Sequence, residues 1–279
     1  MTARSPFLQL AMVLTGTVVS ACGLLVGIDT DLDVKEAGEF ADATFDRTEV
    51  PDAGVDRAVD ADATVISPPK RPAPGTYVYT VSGSDKLNGP FSTPATSYGP
   101  TATVLVSHVS ADCFEMQFVF RKDYEETMRM CVTGLDVVQD RGSRKQKFSV
   151  GAASTTVTCK NDVYFTTTPQ PPTQTHDCTG ENADDQSGNS AFRTVGPYTF
   201  VKDETIPIAG KPTATRHFHD DRVVSGKQDG TNVAEWYFAA EDNMVVRFER
   251  KVDIDYPTGF GKVQYVENVS MTLSERPPL

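Results

Sequence analysis

From Gly75 onward the chain alternates between apolar and polar positions with a period of two, the mark of half-buried strands. Tyr77, Tyr79 and Val81 share one face, and Thr101 to Val109 is a second Val- and Thr-rich run. Phe114, Met116, Phe118 and Phe120 then alternate with Glu115, Gln117, Val119 and Arg121. Beyond a turn at Lys122-Asp123, Tyr124, Met128, Met130 and Val132 alternate with Glu125, Thr127 and Arg129. Near the C-terminus Met244, Val246, Phe248, Val252, Ile254 and Tyr256 form one apolar face, and Val263, Tyr265, Val269, Met271 and Leu273 another. Prolines and glycines punctuate at short intervals, and no amphipathic run of three helical turns stands out. The pattern predicts an all-β domain over residues 75–279. Consecutive strands with short turns imply a single antiparallel, strongly curved sheet, a half-barrel or barrel-like meander.

Registers follow from the same alternation. With Cys113 opposite Cys131, Phe114 meets Met130, Met116 meets Met128, Phe120 meets Tyr124 and Glu115 meets Arg129, so both faces pair like with like. This predicts a Cys113–Cys131 disulfide and leaves Cys159–Cys178 as the second. Zinc is disfavoured because no Cys-x-x-Cys pair exists. Residues 160–189, rich in Thr, Pro, Asp and Gly, read as a long surface loop stapled by the second bridge. On the last two strands, pairing the apolar faces sets Arg250 opposite Glu267, Val252 opposite Tyr265 and Phe248 opposite Val269.

Three charges interrupt the inward faces: Glu126, Arg250 and Glu267. A charge on an inward face needs a partner or a ligand. The expectation is a buried ion pair or the polar anchors of a ligand cavity, with Phe114, Met116, Phe248 and Val269 as its apolar lining. His217 and His219 lie two apart on one strand face and are the candidate metal ligands, although exposed strand histidines are the commoner case. No Gly-x-Ser-x-Gly elbow or phosphate loop occurs, so the residues point to no enzyme, no catalytic group and no cofactor.

Composition narrows the partners. The formal net charge of -12 opposes nucleic acid, which needs clustered Lys and Arg. The stretch from Asp29 to Pro74 is acidic and nearly free of aromatics, and it reads as a disordered Ala/Asp/Pro-rich tether over residues 22–74. About 50 such residues reach roughly 40 Å. The opening Asp29-x-Asp31-x-Asp33 suggests a calcium loop, but Val34 and Phe40 stand where that loop has Gly and Glu.

At the N-terminus, the apolar run Phe7 to Val19 is well short of the roughly 20 residues of a membrane span and ends in Val19-Ser20-Ala21-Cys22. This resembles the lipobox of bacterial lipoproteins, with residues 1–21 as signal peptide. The resemblance implies acylation of Cys22 and anchoring to the membrane of the cell envelope. Gly23, rather than Asp, points to the outer membrane in a Gram-negative cell. The domain also resembles exported lipoproteins with a curved half-barrel, the shape of periplasmic lipoprotein carriers, through its lipobox, spacer, long strands and closing meander. That likeness implies a non-catalytic binding domain for a hydrophobic or lipid-like ligand or an envelope protein. The alternatives are a structural or interaction module with a filled core, and a metal-dependent enzyme built on His217 and His219.

Overall fold

The computed structural model describes residues 68–90, 92–166, 172–184, 188–258 and 261–277. Residues 1–67, which hold the expected signal peptide, Cys22 and most of the expected tether, lie outside the described residues. Thirteen strands follow one another: β1 (Gly75–Asn88), β2 (Thr96–Ser97), β3 (Thr101–His108), β4 (Cys113–Arg121), β5 (Tyr124–Thr133), β6 (Asp136–Phe148), β7 (Gly151–Thr166), β8 (Thr173–Asp184), β9 (Gly188–Ile208), β10 (Lys211–Gly226), β11 (Asp229–Ala239), β12 (Val245–Thr258) and β13 (Gly261–Glu275). From β3 each strand pairs antiparallel with the next, β3 pairs with β1, and β13 pairs with β1 as well. The sheet therefore closes into a barrel of twelve strands, with the two-residue β2 added beside Ser84 and Asp85 of β1. Closure rather than a half-barrel removes the free edges that an open meander would expose.

The Cys113 hairpin holds the expected register from Cys113↔Cys131 through Met116↔Met128, and both disulfides are formed. Next to the turn a bulge sets Tyr124 opposite Arg121 instead of Phe120. Between β12 and β13 the expected register is two residues out. Arg250 faces Val269, Val252 faces Glu267 and Phe248 faces Met271, because the hairpin closes with Thr258 paired to Gly261. A two-residue shift preserves the inward and outward faces, so parity alone could not detect it.

The stapled surface loop expected over residues 160–189 is instead mostly strand, shared among β7, β8 and β9. Its inward positions on β8 are His176, Cys178, Gly180 and Asn182, all buried. They are polar or small because this wall lines a polar interior, which hides the strand from a hydrophobicity pattern. Gly180 is fixed by its neighbour: a Cβ there would lie 2.3 Å from the Phe192 ring.

We call the end where β1 begins and β13 finishes the lower end. A large cluster including Tyr77, Tyr79, Phe114, Phe165, Phe218 and Phe248 fills the lower part of the barrel. Burying such side chains stabilises the fold by about 1.5–3 kcal/mol each. A second, smaller cluster of Leu87, Val224, Val252, Ile254, Val263 and Tyr265 sits near the upper end. Outward positions on β12 are Arg247, Glu249, Lys251, Asp253 and Asp255, a surface suited to water and unlike the apolar band of a membrane barrel.

The last residues counted with the tether belong to the domain. Pro69 and Pro72 are buried, and the backbone around them is held at the lower end. Tyr77 donates to the Ala73 carbonyl at 2.8 Å, Asn243 to that of Lys70 at 2.7 Å, and Arg71 to that of Ser110 at 2.9 Å. The His108 ring nitrogen lies 2.9 Å from the Pro72 carbonyl. This strap crosses the end that the aromatic core already fills.

Candidate functional site: a charged layer and two chambers inside the barrel

Above the aromatic core the barrel interior turns polar, and the three inward charges meet there. Arg250 of β12 donates through Nη1 and Nη2 to the two oxygens of Glu126 on β5, at 2.7 and 2.8 Å. Its Nε donates to Glu267 of β13 at 2.7 Å, and Nη2 also reaches Tyr124 Oη at 2.8 Å. Tyr124 Oη lies 2.7 Å from Glu267 Oε2, which also accepts from Tyr265. Arg144 of β6 completes the group, with Nε 2.6 Å from Glu126 Oε1. Arg250 and Glu267 lie diagonally across the β12–β13 pair, so the two-residue register difference still brings them together.

Burial alone would raise the Glu126 carboxyl, but the guanidiniums of Arg144 and Arg250 outweigh it and bring the pKa down to about 2. Burial likewise opposes the charge on Arg250, and Glu126 and Glu267 reverse the effect and hold it firmly protonated. The group is electrically closed, two guanidiniums against two carboxylates, so each charge has the partner its burial demands.

A second charged group stands across the interior. Arg222 of β10 grips Asp220 through Nε at 2.8 and 2.9 Å, and donates to Tyr164 Oη at 3.1 Å. Its Nη2 also lies 2.8 Å from His176 Nδ1. An arginine cannot accept, so Nδ1 is the acceptor and the His176 proton sits on Nε2, which donates to the Val163 carbonyl at 3.0 Å. Burial first, and the Arg222 charge second, lower the pKa of this imidazole. Asp162 accepts the Asp177 backbone N–H at 2.9 Å and stands 3.6 Å from Arg222.

These two groups give the fold a defined acid response. His176 has its folded pKa below the ordinary 6.5, so the unfolded chain binds a proton that the barrel refuses as pH drops below that value. Glu126 contributes fully above its ordinary 4.5 and loses that contribution as pH falls towards about 2. Urea midpoints are therefore expected to fall in two stages, one starting near neutrality and one below pH 4.5. A His176→Gln variant should flatten the first stage, and an unchanged first stage would contradict the assignment of a neutral, buried His176.

Between the two charged groups lies a chamber of about 160 Å³, bordered by Glu126, Arg144, Asp220, Arg222, Trp236 and Arg250. A second chamber of about 120 Å³ lies next to it towards the upper end, where Leu87, Phe148, Val150, Tyr256, Val263 and Tyr265 line it. Arg144, Thr155 and Tyr256 border both. The cavity is not where the sequence suggested. Phe114, Met116, Phe248 and Val269 are each about 1% exposed within the packed lower core. Apolar alternation marks inward faces and cannot tell which level of the barrel stays open.

His217 and His219 point outward from β10, against Glu235 of β11. His217 Nε2 lies 2.8 Å from one Glu235 oxygen and His219 Nδ1 lies 2.7 Å from the other. Glu204 of β9 stands 3.2 Å from His217 Nδ1, and the Tyr237 ring stacks on His217 at 4.1 Å. The histidines thus share a face, as expected, but each takes its own oxygen of Glu235 on a convex outer wall. Glu235 and Glu204 were not legible as partners because they come from neighbouring strands. Asp220 points into the barrel, away from this pair. Among the described residues, the donors close enough to share one ion are Cys159, Asp162 and Cys178, and both sulfurs there are joined in a disulfide.

No family model, curated protein or solved structure matches this chain.

Proposed function

We propose that the protein is a non-catalytic binding barrel, tethered to the cell envelope through an acylated Cys22, that takes a compact small molecule through its upper end. The observation that carries this reading is the pair of adjoining chambers above a filled core. A chamber of about 160 Å³ compares with the roughly 150 Å³ cavity that accommodates one benzene. The packed lower core leaves little depth for a long acyl chain, so the ligand is compact rather than lipid-length. Ion pairs that neutralise one another suit a fixed binding wall better than a proton-transfer site.

The filled lower half favours the other reading, an envelope interaction module whose interior serves only stability. A thermal-shift screen of the full chain against a small-molecule library separates the two. Ligand binding should raise the melting temperature in proportion to the logarithm of concentration over Kd. Filling the mouth with Ala153→Trp should abolish the shift. If no compound raises the melting temperature of the natural protein, the binding reading fails and the interaction module stands.

A further inference from the structure

Arg144 differs from the other guanidiniums inside the barrel. Arg250 and Arg222 use all three of their nitrogens in contacts to the protein, and Arg121 is bound through both Nη groups to Asp85. Arg144 is held only through Nε, against Glu126, and by the Tyr124 and Tyr265 rings, each centred 5.8 Å from its Cζ. Among the described residues, neither of its Nη groups has a hydrogen-bond partner. The side chain retains 19% exposure although it points inward, and it borders both chambers. Its open end therefore faces the space between them.

A guanidinium held from behind presents its two Nη groups as a pair of parallel donors, the geometry that matches a planar carboxylate. Open to the chambers, the two Nη groups are free to meet an acceptor that enters from solvent, and the positive charge strengthens that contact. Water could serve the donors, but it has no use for the apolar walls beside them. Leu87, Phe148, Val150, Tyr256 and Val263 line the outer chamber, which Arg144 itself borders. The acidic groups nearby are already engaged. Glu126 is shared by Arg144 and Arg250, Glu267 is held by Arg250, and Asp220 is bound by Arg222.

Resting on the binding reading above, we infer that the ligand is a monocarboxylate with a compact apolar body. Its carboxylate sits on the Nη pair of Arg144 and its body fills the outer chamber. The chamber volumes limit that body to about the size of one aromatic ring. Tyr124 and Tyr265 hold the guanidinium plane from its two ring contacts, so the carboxylate has a fixed orientation. This gives the barrel selectivity for an ionised acid over its uncharged analogue, carried by one side chain.

The test compares 4-fluorobenzoate with 4-fluorobenzamide on the full chain by fluorine NMR titration. The acid is expected to bind at least about tenfold more tightly than the amide, as a charge-assisted bidentate contact should. Arg144→Gln should reduce acid binding to the level of the amide, and Arg144→Lys should keep part of the preference. Phe148→Ala should weaken both probes alike. The comparison on the natural protein stands even if Arg144→Gln fails to fold. Equal affinity for acid and amide would overturn the Arg144 assignment while leaving the binding chamber intact. Binding of neither probe would overturn it too, and absence of any thermal shift across the wider library would then remove the binding reading as well.

Discussion

Replacing Arg250 with methionine is expected to destabilise the barrel by about 3–5 kcal/mol, measured as a loss in urea-unfolding free energy of the full chain. The guanidinium is the hub of the interior: from β12 it contacts Tyr124 and Glu126 of β5 and Glu267 of β13. Methionine has a similar reach, so the volume is nearly kept and the loss is mainly electrostatic. Without Arg250, Glu267 is a carboxylate 1% exposed with only tyrosine hydroxyls to hold it. Glu126 keeps Arg144 and the Tyr124 hydroxyl. Adding Glu267→Gln to Arg250→Met should recover a large part of the loss, because the orphaned carboxylate is removed while Glu126 keeps its pair with Arg144. A loss below about 1 kcal/mol, the range of exposed ion pairs, would show that the layer is hydrated and contributes little to stability.

The second large effect is expected at the inner disulfide. The β7–β8 ladder runs from Ala153↔Asp184 to Cys159↔Cys178 and stops there. Below that rung the two strands are bridged by side chains, Asp162 to the Asp177 N–H and His176 to the Val163 carbonyl. The Cys159–Cys178 bond therefore closes the wall where backbone pairing gives out. Changing both cysteines to alanine should cost about 3 kcal/mol, from the chain entropy of a loop of about 20 residues. It should also speed amide exchange along β8 ahead of the rest of the barrel. The outer Cys113–Cys131 bond spans a similar separation, but beyond it the backbone bonding continues, with the Val132 N–H on the Asp112 carbonyl at 2.9 Å. Its removal should cost a similar free energy without a local rise in exchange. Equal exchange behaviour in the two variants would refute a specific role for the inner bond at the seam.

The strand class, the meander and the Cys113 hairpin were readable because each rests on local alternation. One face is apolar, the other polar, and a slip of one residue would bury the wrong set. The inward charges were readable for the same reason, since Glu126, Arg250 and Glu267 interrupt that alternation. Arg144 and Arg222 were not, because the inward positions of β6 and β10 around them are already polar or small: Gly142, Gln146, Asp220. β8 was lost altogether, with His176, Cys178, Gly180 and Asn182 facing inward. A wall that borders a polar interior carries no hydrophobic signal.

What the sequence by itself determined is the kind of strand and its two faces, because side-chain direction alternates with every residue and solvent exposure selects on it. It also marked the two cysteine pairs, through the parity of one hairpin and elimination for the other. Only the tertiary structure decided that the sheet closes, at β1 against β13, and that Glu126 meets Arg250 across 124 residues of chain. It alone decided that the lower level is filled while the charged level above it stays open around Arg144. Those outcomes depend on shear, on the two-residue offset of the last hairpin and on which levels of twelve strands come to the same height. Alternation with a period of two is blind to all three.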